Sequence, residues 1–538
     1  MADRPRVVVV GGGPVGLALA VELGLRGVAC EVIERRTEPH RIPKGQNLTQ
    51  RTLDLFYSWG IADELRSRRV IRPGFPGNAI VAYGDLAGAH WFAGVYRTAV
   101  DRYYFQRSER LPQYLTEQVL RDRLAGIPAV RVREGWSAEA VRQSDAGAAV
   151  DIAEEAGARR ETVEADYVVG CDGSRSAVRD GAGLASGGTD YEQTMVLAVF
   201  RSPALGERLK RFPPAYIYRV VHPDLKGYWR FFGRIDEHEG WFFHAPVGRA
   251  ERSEAGVRAL LREAAGFAFD CSFEHIGYWD LRVSIAEAFR AGRVFIAGDA
   301  AHSHPPYGGY GLNTGFEDAA NLGWKLAAVL QGWGGEALLQ SYSEERQEVA
   351  ASTAAEFIDS RISADRELFE RIHPERDAEE FARGWTAYAE AGNRHLNSYA
   401  PHYVGSTAIA GPPGGVTGAA SARSERARPG HYLPPWRLAS GRNVFEELGR
   451  GFTLVALGGD DGGIARLERA CARRSIPLKV VREPASESRG AGLVLVRPDS
   501  YVAWAGDAPP ENADALMARV TGAATRPSGP AGRASAPV

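Results

Sequence analysis

Near its N-terminus the chain reads Val7-Val8-Val9-Val10-Gly11-Gly12-Gly13-Pro14-Val15-Gly16-Leu17-Ala18-Leu19-Ala20, which cannot be one continuous element. Arg6 to Val10 is short, β-branched and ended by glycine, the pattern of a buried strand. Val15 to Leu25 has helical periodicity, with Leu17, Ala20, Val21 and Gly24 on one face, and Gly27 closes it. Ala29 to Glu34 is a second strand, so residues 6–34 form a βαβ unit. Gly11, Gly13 and Gly16 fit G-x-G-x-x-G, with Pro14 in the same turn. Glycine permits the tight turn and the approach of backbone to a pyrophosphate, and the helix N-terminus points its N–H groups at that anion. Glu34, followed by Arg35, stands where a carboxylate accepts the hydroxyls of an unphosphorylated ribose. The basic start and apolar run imitate a signal peptide. The glycines break that run, Glu22 follows, and no small-residue cleavage site closes it.

The whole chain is consistent with this reading. It has 538 residues, 44% hydrophobic and 25% charged, enough for several domains around a large core. A net charge of −2 argues against a general nucleic-acid binder. No run of about 18 uncharged apolar residues suggests a membrane span. Cys30, Cys171, Cys271 and Cys471 lie far apart without C-x-x-C, which excludes a disulfide framework and fits a reducing, cytoplasmic compartment.

A second segment separates FAD from NAD. Gly292-Arg293-Val294-Phe295-Ile296-Ala297-Gly298-Asp299-Ala300-Ala301-His302 is a strand ending in a small-residue turn. Pro305-Pro306-Tyr307-Gly308-Gly309-Tyr310-Gly311-Leu312-Asn313 then leads into a helix. A carboxylate after a strand, Asp299, suits a polyol chain. A glycine-rich turn before a helix, with Pro306, Gly309, Gly311, Leu312 and Asn313, suits an electron-rich ring edge. FAD has both groups and NAD has neither. His302 and His304 are two residues apart in a loop, a weak metal pattern, and no metal site is expected.

These motifs resemble the single-component FAD-dependent aromatic hydroxylases, the class typified by para-hydroxybenzoate hydroxylase. Tyr167-Val168-Val169-Gly170-Cys171-Asp172-Gly173 is similar to that family's Asp-Gly motif. Arg110-Leu111-Pro112-Gln113 is similar to its Arg-x-x-Gln contact with FAD, and Lys44-Gly45-Gln46 through Arg51-Thr52-Leu53 to its segment beside the flavin. Lys44 stands where many relatives have arginine and lacks the planar fork. Residues 441–454 and 496–499 resemble the thioredoxin-like domain of the phenol, nitrocatechol and polyketide hydroxylase branch, and without C-x-x-C that domain is assigned packing or homodimer contacts. None of the cysteines, nor His302 or His304, lies in a flavin-attachment motif.

The resemblance implies an α/β fold with a Rossmann-like FAD-binding domain (1–75, 105–180 and 285–403) and an interleaved, mostly β substrate domain (76–104 and 181–284). It also implies a linker (404–430), a thioredoxin-like domain (431–515) and a disordered tail (516–538). The implied reaction is hydroxylation of a phenolic or polyketide ring with NAD(P)H and O2 through a flavin hydroperoxide. Baeyer–Villiger oxidation, epoxidation and a reductase on the same scaffold are the alternatives. In the aromatic-rich stretch 190–283, Tyr216, Tyr218, His244 and Arg230 are the candidates for the substrate cavity, with core packing the alternative for each. The alternation Tyr216-Ile217-Tyr218 places both tyrosines on one face. The arginines of this stretch are scattered, with no pair to clamp a carboxylate. Arg121, Arg123 and the cluster Arg66, Arg68 and Arg69 read as solvated helix faces.

Overall fold

Val7–Val10 are all buried because they form an inner strand of a parallel sheet, which has no wet face. The structure, a computed structural model, describes residues 4–523 apart from 74, 76, 77, 95, 96, 158, 459, 460, 486–488 and 509. The sheet runs Arg290–Ala291, Val294–Ile296, Tyr167–Gly170, Val7–Val10, Cys30–Glu34, Val130–Glu134, and only the first pairing is antiparallel. Helix Pro14–Gly24 lies between this sheet and the long helix Gly311–Leu330, forming a doubly wound α/β layer. Gly60 and Gly332, both with positive φ, each separate two consecutive helices. Residues 50–67 are two helices, and Gly311–Leu330 is separate from Glu336–Ser352.

A seven-stranded sheet draws strands from both sides of the first motifs. Its order is Ser272–Arg282, Asp190–Arg201, Gly240–Pro246, Arg230–Arg234, Ala215–Val221, Asn78–Tyr83, Trp91–Gly94. One face buries Phe200, Tyr218, Trp241 and Phe243 against Val257, Leu260 and Leu261 of the amphipathic helix Glu254–Ala265. The other face looks toward the dinucleotide-type domain.

The C-terminal sheet, Leu478–Glu483, Phe452–Leu457, Leu493–Val496, Val502–Gly506, has one parallel and two antiparallel pairings. Helices Asp461–Arg473 and Ala513–Val520 pack with it, a thioredoxin-like arrangement. The ordered domain therefore extends past 515: Leu516, Met517 and Val520 are buried in its core, whereas 524–538 lie outside the described residues. Residues 404–430 are packed more closely than a free linker. Tyr403 at their start stacks on Tyr501 at 4.1 Å, and Ile409 and Ala419 are buried. No helix among the described residues is long and apolar enough to cross a membrane.

Candidate active site

Three sequence motifs meet because strand ends and short ladders deliver them to one place. Gly11 follows its strand with φ +106°, and a Cβ there would lie 2.3 Å from the Cys171 carbonyl oxygen. A Cβ on Gly16 would lie 2.0 Å from the Gly11 carbonyl oxygen, so helix and strand touch only because both residues are glycine. Gly13 has nothing within 4 Å of the corresponding position and leaves the turn open. The segment 44–46 is tied in by the ladder Asn47–Leu48 with Glu109–Arg110 and by Gly45 N–H donating to Gln113 Oε1 at 3.2 Å.

These pieces border one cleft of about 1280 Å³ between the Rossmann-like layer and the seven-stranded sheet. Ligand pockets commonly hold roughly 300–1,000 Å³, so this cleft accommodates a dinucleotide and a second molecule together. Gly11, Gly13, Pro14, Glu34, Arg35, Lys44, Gln46, Arg110, Gln113, Asp172, Asp299, Pro306, Gly309, Gly311 and Leu312 all line it. Glu34 already accepts from Gly12 N–H at 2.6 Å and Arg36 N–H at 2.9 Å, which fixes its carboxylate at the turn. Asp172 accepts from Ser176 Oγ at 2.5 Å and Val178 N–H at 3.2 Å, holding the start of the following helix.

Several polar groups lack partners in this cleft. Both amide atoms of buried Gln46 and Nε of Arg110 have none. Burial lowers the Arg110 guanidinium to about 10, with the Tyr216 ring 4.9 Å away. Asp299 is open to the cleft but has protein around it, and this desolvation raises its carboxyl despite the nearby charges of His302 and Lys44. The N–H groups of Gly311, Leu312 and Asn313 precede the first intrahelical bond, from Thr314 to Tyr310, and point out of the helix end. An open glycine turn, an unpartnered amide and guanidinium, a carboxylate and a free helix end suit pyrophosphate, ribityl hydroxyls and an electron-rich ring. The residues present fit FAD.

Some sequence expectations need correction. Asn313 does not line the cleft. Its Oδ1 accepts from Thr49 N–H at 2.8 Å and Thr52 Oγ at 2.7 Å, and its Nδ2 donates to Asn47 and Gly309 carbonyls. It therefore holds segment 47–52 against the loop. Gly16 acts through packing, as described above. Tyr216 faces the cleft, but Tyr218 lies in the opposite core beside Trp241 and Phe212. The cause is a register shift between Ala215 and Ile217, where an extra residue breaks strict alternation and turns Ile217 and Arg219 inward. Arg230 also points away and pairs with Glu263 at 2.7 Å. Arg121 is largely buried, donates to the Gly12 carbonyl at 3.2 Å and lines the cleft, as does Arg69. His302 Nε2 donates to the Asp318 carboxylate at 2.6 Å, and Asp318 is held in turn by Arg346 at 2.7 Å.

Because Arg230 faces the outer core and Glu263 is mostly exposed, Arg230→Gln is expected to cost no more than about 1 kcal/mol and to leave turnover within about twofold. Denaturation and steady-state rates check this.

The sheet wall of the cleft is aromatic: Trp229, Phe231, Phe242 and His244 line it. His244 stacks on Phe231 at 5.0 Å with Nδ1 unpartnered, and desolvation lowers it to about 3. Desolvation, then the charge of His302, lowers His304 to about 3 as well. Between about pH 6.5 and 3 the unfolded chain binds protons at these positions that the folded chain refuses. Each histidine therefore makes stability fall as pH falls, by about 1.4 kcal/mol per unit. Unfolding midpoints measured through that range at fixed FAD check the slope, which His244→Phe should reduce.

Sequence reasoning missed Arg219, Arg361 and Tyr388, which also line the cleft. The bulge concealed Arg219. Arg361 and Tyr388 sit on helices Ser360–Arg371 and Ala378–Ser398 and carry no local motif. Arg219 comes from the stretch 190–283 and Arg361 from beyond it, so the second guanidinium reaches the cleft from outside the segment whose arginines read as scattered.

A Rossmann-like layer with this donor set, facing an aromatic-walled sheet across one cleft, defines an FAD-dependent oxidoreductase. The chain matches the FAD binding domain family over residues 4–356 and the aromatic-ring hydroxylase C-terminal family over residues 426–524. It belongs to the FAD-dependent aromatic-ring hydroxylases and is an FAD-dependent monooxygenase. It is 30% identical to the FAD-dependent monooxygenase apdD of Emericella nidulans, across 96% of this chain and 90% of that one. It is also 30% identical to 4-methyl-5-nitrocatechol 5-monooxygenase of a Burkholderia species, across 93% of each chain. Among solved structures, the flavin-dependent monooxygenase PieE in complex with FAD and substrate superposes with a TM-score of 0.84. The two share 26% identity over 97% of this chain and 99% of that one.

Proposed function

We propose that this chain hydroxylates an electron-rich phenolic or polyketide ring, using NAD(P)H and O2, in the cytoplasm. The observation that carries the reading is the single cleft in which the aromatic wall Trp229, Phe231, Phe242 and His244 faces the loop 305–312. A flat aromatic ring fits such a wall through stacking and apolar contact. The nitrocatechol relative points to the same substrate class.

The cofactor would be held by the turn Gly11–Gly16, Glu34, Gln46, Arg110, Gln113, Asp172 and Asp299. It supplies the two-electron chemistry that takes reducing equivalents from NAD(P)H and passes one oxygen atom of O2 to the ring. The protein's own residues do the rest. N–H groups at the start of helix Gly311–Leu330 stabilise negative charge at a ring edge. Trp229, Phe231 and Phe242 exclude water from the reacting face. Burial keeps His244 unprotonated at neutral pH and makes it a weak proton acceptor, so its role is a hydrogen bond from or to an uncharged imidazole. Tyr216, beside Arg110, closes the same wall.

The test is a panel of phenols and polycyclic quinones screened for stimulation of NAD(P)H oxidation by the holoenzyme. Stimulation by phenolic rings with product formation supports the reading. Oxidation that no ring accelerates contradicts it.

A further inference from the structure

A second, much smaller cavity of about 50 Å³ lies where helix Gln50–Ser58 of the FAD-binding layer, the turn Tyr103–Tyr104 and the segment 421–434 meet Tyr501 of the C-terminal domain. At roughly 10–15 Å³ for one water, this is room for about three to five, the size of one tetrahedral oxyanion. Its wall is cationic. Arg51, Arg423, Arg426 and Arg428 line it, and Glu317 is the one carboxylate among the described lining residues. Glu317 is already shared: it accepts from the Tyr501 hydroxyl at 3.1 Å and lies 3.8 Å from both Arg51 and Arg346.

The arginines are held in place by neutral groups. Arg51 is only 6% exposed and donates to the Asp499 carbonyl at 2.8 Å, yet its Nε has no hydrogen-bond partner. Arg423 donates to the Asn397 and Tyr399 carbonyls and to the Tyr104 hydroxyl. Arg428 donates to the Ala422 carbonyl at 2.5 Å, and its buried Nε is also unpartnered. Among the described residues neither Arg423 nor Arg428 enters an ion pair. Burial lowers the Arg428 guanidinium with no carboxylate opposing it. Burial, then the charge of Arg428, lowers His431 to about 4, and the same charge acts on His402, stacked on it at 5.3 Å. Two other carboxylates stand near. Glu425 lies 3.8 Å from Arg102, and Asp54, behind Tyr432, is raised by burial to about 7 while it accepts from the Tyr432 hydroxyl at 2.6 Å. Desolvated cations without a counter-ion are costly unless an anion arrives to pair with them.

We propose that this cavity binds a phosphate-type oxyanion, held by Arg51, Arg423 and Arg428 and walled by Tyr104, Tyr432 and Tyr501. Guanidinium groups from separate segments offer the anion several charge-assisted hydrogen bonds. Because Arg51 belongs to the FAD-binding layer, Arg423 and Arg428 to the crossing segment and Tyr501 to the last domain, the anion would tie all three together. Its occupancy therefore raises the stability of the junction.

The holoenzyme, with its dinucleotide site filled, is titrated with inorganic phosphate at an ionic strength held constant with sodium chloride. Calorimetry and the thermal unfolding midpoint are the readouts. Wild type is expected to bind one phosphate with a Kd of about 0.1–1 mM and to unfold at rising temperature as phosphate is added. Arg428→Gln should weaken binding by about 10-fold or more with unchanged FAD content, and Arg428→Lys should recover part of it. Arg160→Gln, at an exposed arginine that does not line the cavity, should bind as wild type does. If Arg428→Gln does not fold, Arg428→Lys and Arg426→Gln, the latter at an exposed position, decide the matter, each expected to weaken phosphate by about threefold or more. Glycerol 3-phosphate is the second probe. Binding of both identifies the ligand as the phosphate end of a larger molecule, and binding of phosphate alone identifies it as the free ion. Absence of saturable phosphate binding in wild type, or an affinity unchanged in the folded Arg428 and Arg426 variants, overturns the proposal.

Discussion

Arg497→Leu is expected to lower the unfolding free energy by about 3–5 kcal/mol, a larger loss than any cleft substitution. Arg497 is fully buried between the C-terminal domain and the FAD-binding layer. Its NH1 and NH2 donate to Glu345 at 2.6 and 2.8 Å, and its Nε and NH2 donate to Asp499 at 3.0 and 2.5 Å. Glu345 also accepts from Lys325, Asn321 and Ser406, so it draws together two helices, the segment after Tyr403 and the last sheet. Removing the guanidinium leaves the Asp499 carboxylate buried without its ion-pair partner and leaves Glu345 paired with Lys325 alone. The network stands on helix Gly311–Leu330 through Asn321 and Lys325, the helix whose N-terminus faces the cleft. Urea unfolding followed by fluorescence of Trp324 and Trp333, stacked beside this network, measures the loss. A change below about 1 kcal/mol would mean that the pair is not a principal tie between the domains.

Asp299→Ala is expected to weaken FAD binding by about 10- to 150-fold, from the loss of a charge-assisted hydrogen bond of roughly 1.5–3 kcal/mol. Strand Val294–Ile296 and the turn Gly298–Ala300 bring this carboxylate to the cleft, near Lys44 and His302. Gly298 N–H donates to Asp318 at 2.9 Å, so the turn is held from behind and should survive the substitution. Titration of apoprotein with FAD measures the effect. Unchanged affinity in a folded variant would remove Asp299 from the cofactor site.

The legible part of the fold is local. A valine strand, a glycine turn and a helix are adjacent in sequence, so steric rules at Gly11 and Gly16 announce the βαβ unit and the class of protein. The flavin-facing loop was legible for the same reason. What escaped depends on contacts far apart in the chain. The register shift at Tyr216 is set by pairing with Asn78–Tyr83, and nothing within 215–221 reveals it. Arg230 and Arg219 look equivalent in the sequence, and only the sheet face separates an ion pair with Glu263 from a guanidinium that lines the cleft and donates to the Tyr388 hydroxyl. Asn313 reads as a flavin-loop residue because its role with Thr49 and Thr52 spans more than 260 positions. Arg121 reads as solvated because the turn it braces, at Gly12, lies on another element.

The central claim is that this cleft transfers oxygen to an aromatic ring. The most direct measurement is turnover of the best-stimulating phenol under ¹⁸O₂ with mass analysis of the product. One labelled atom from O2 in a hydroxylated ring is the result predicted here. Unlabelled product, or turnover that continues without oxygen, would contradict the account, and a labelled lactone or epoxide would contradict hydroxylation.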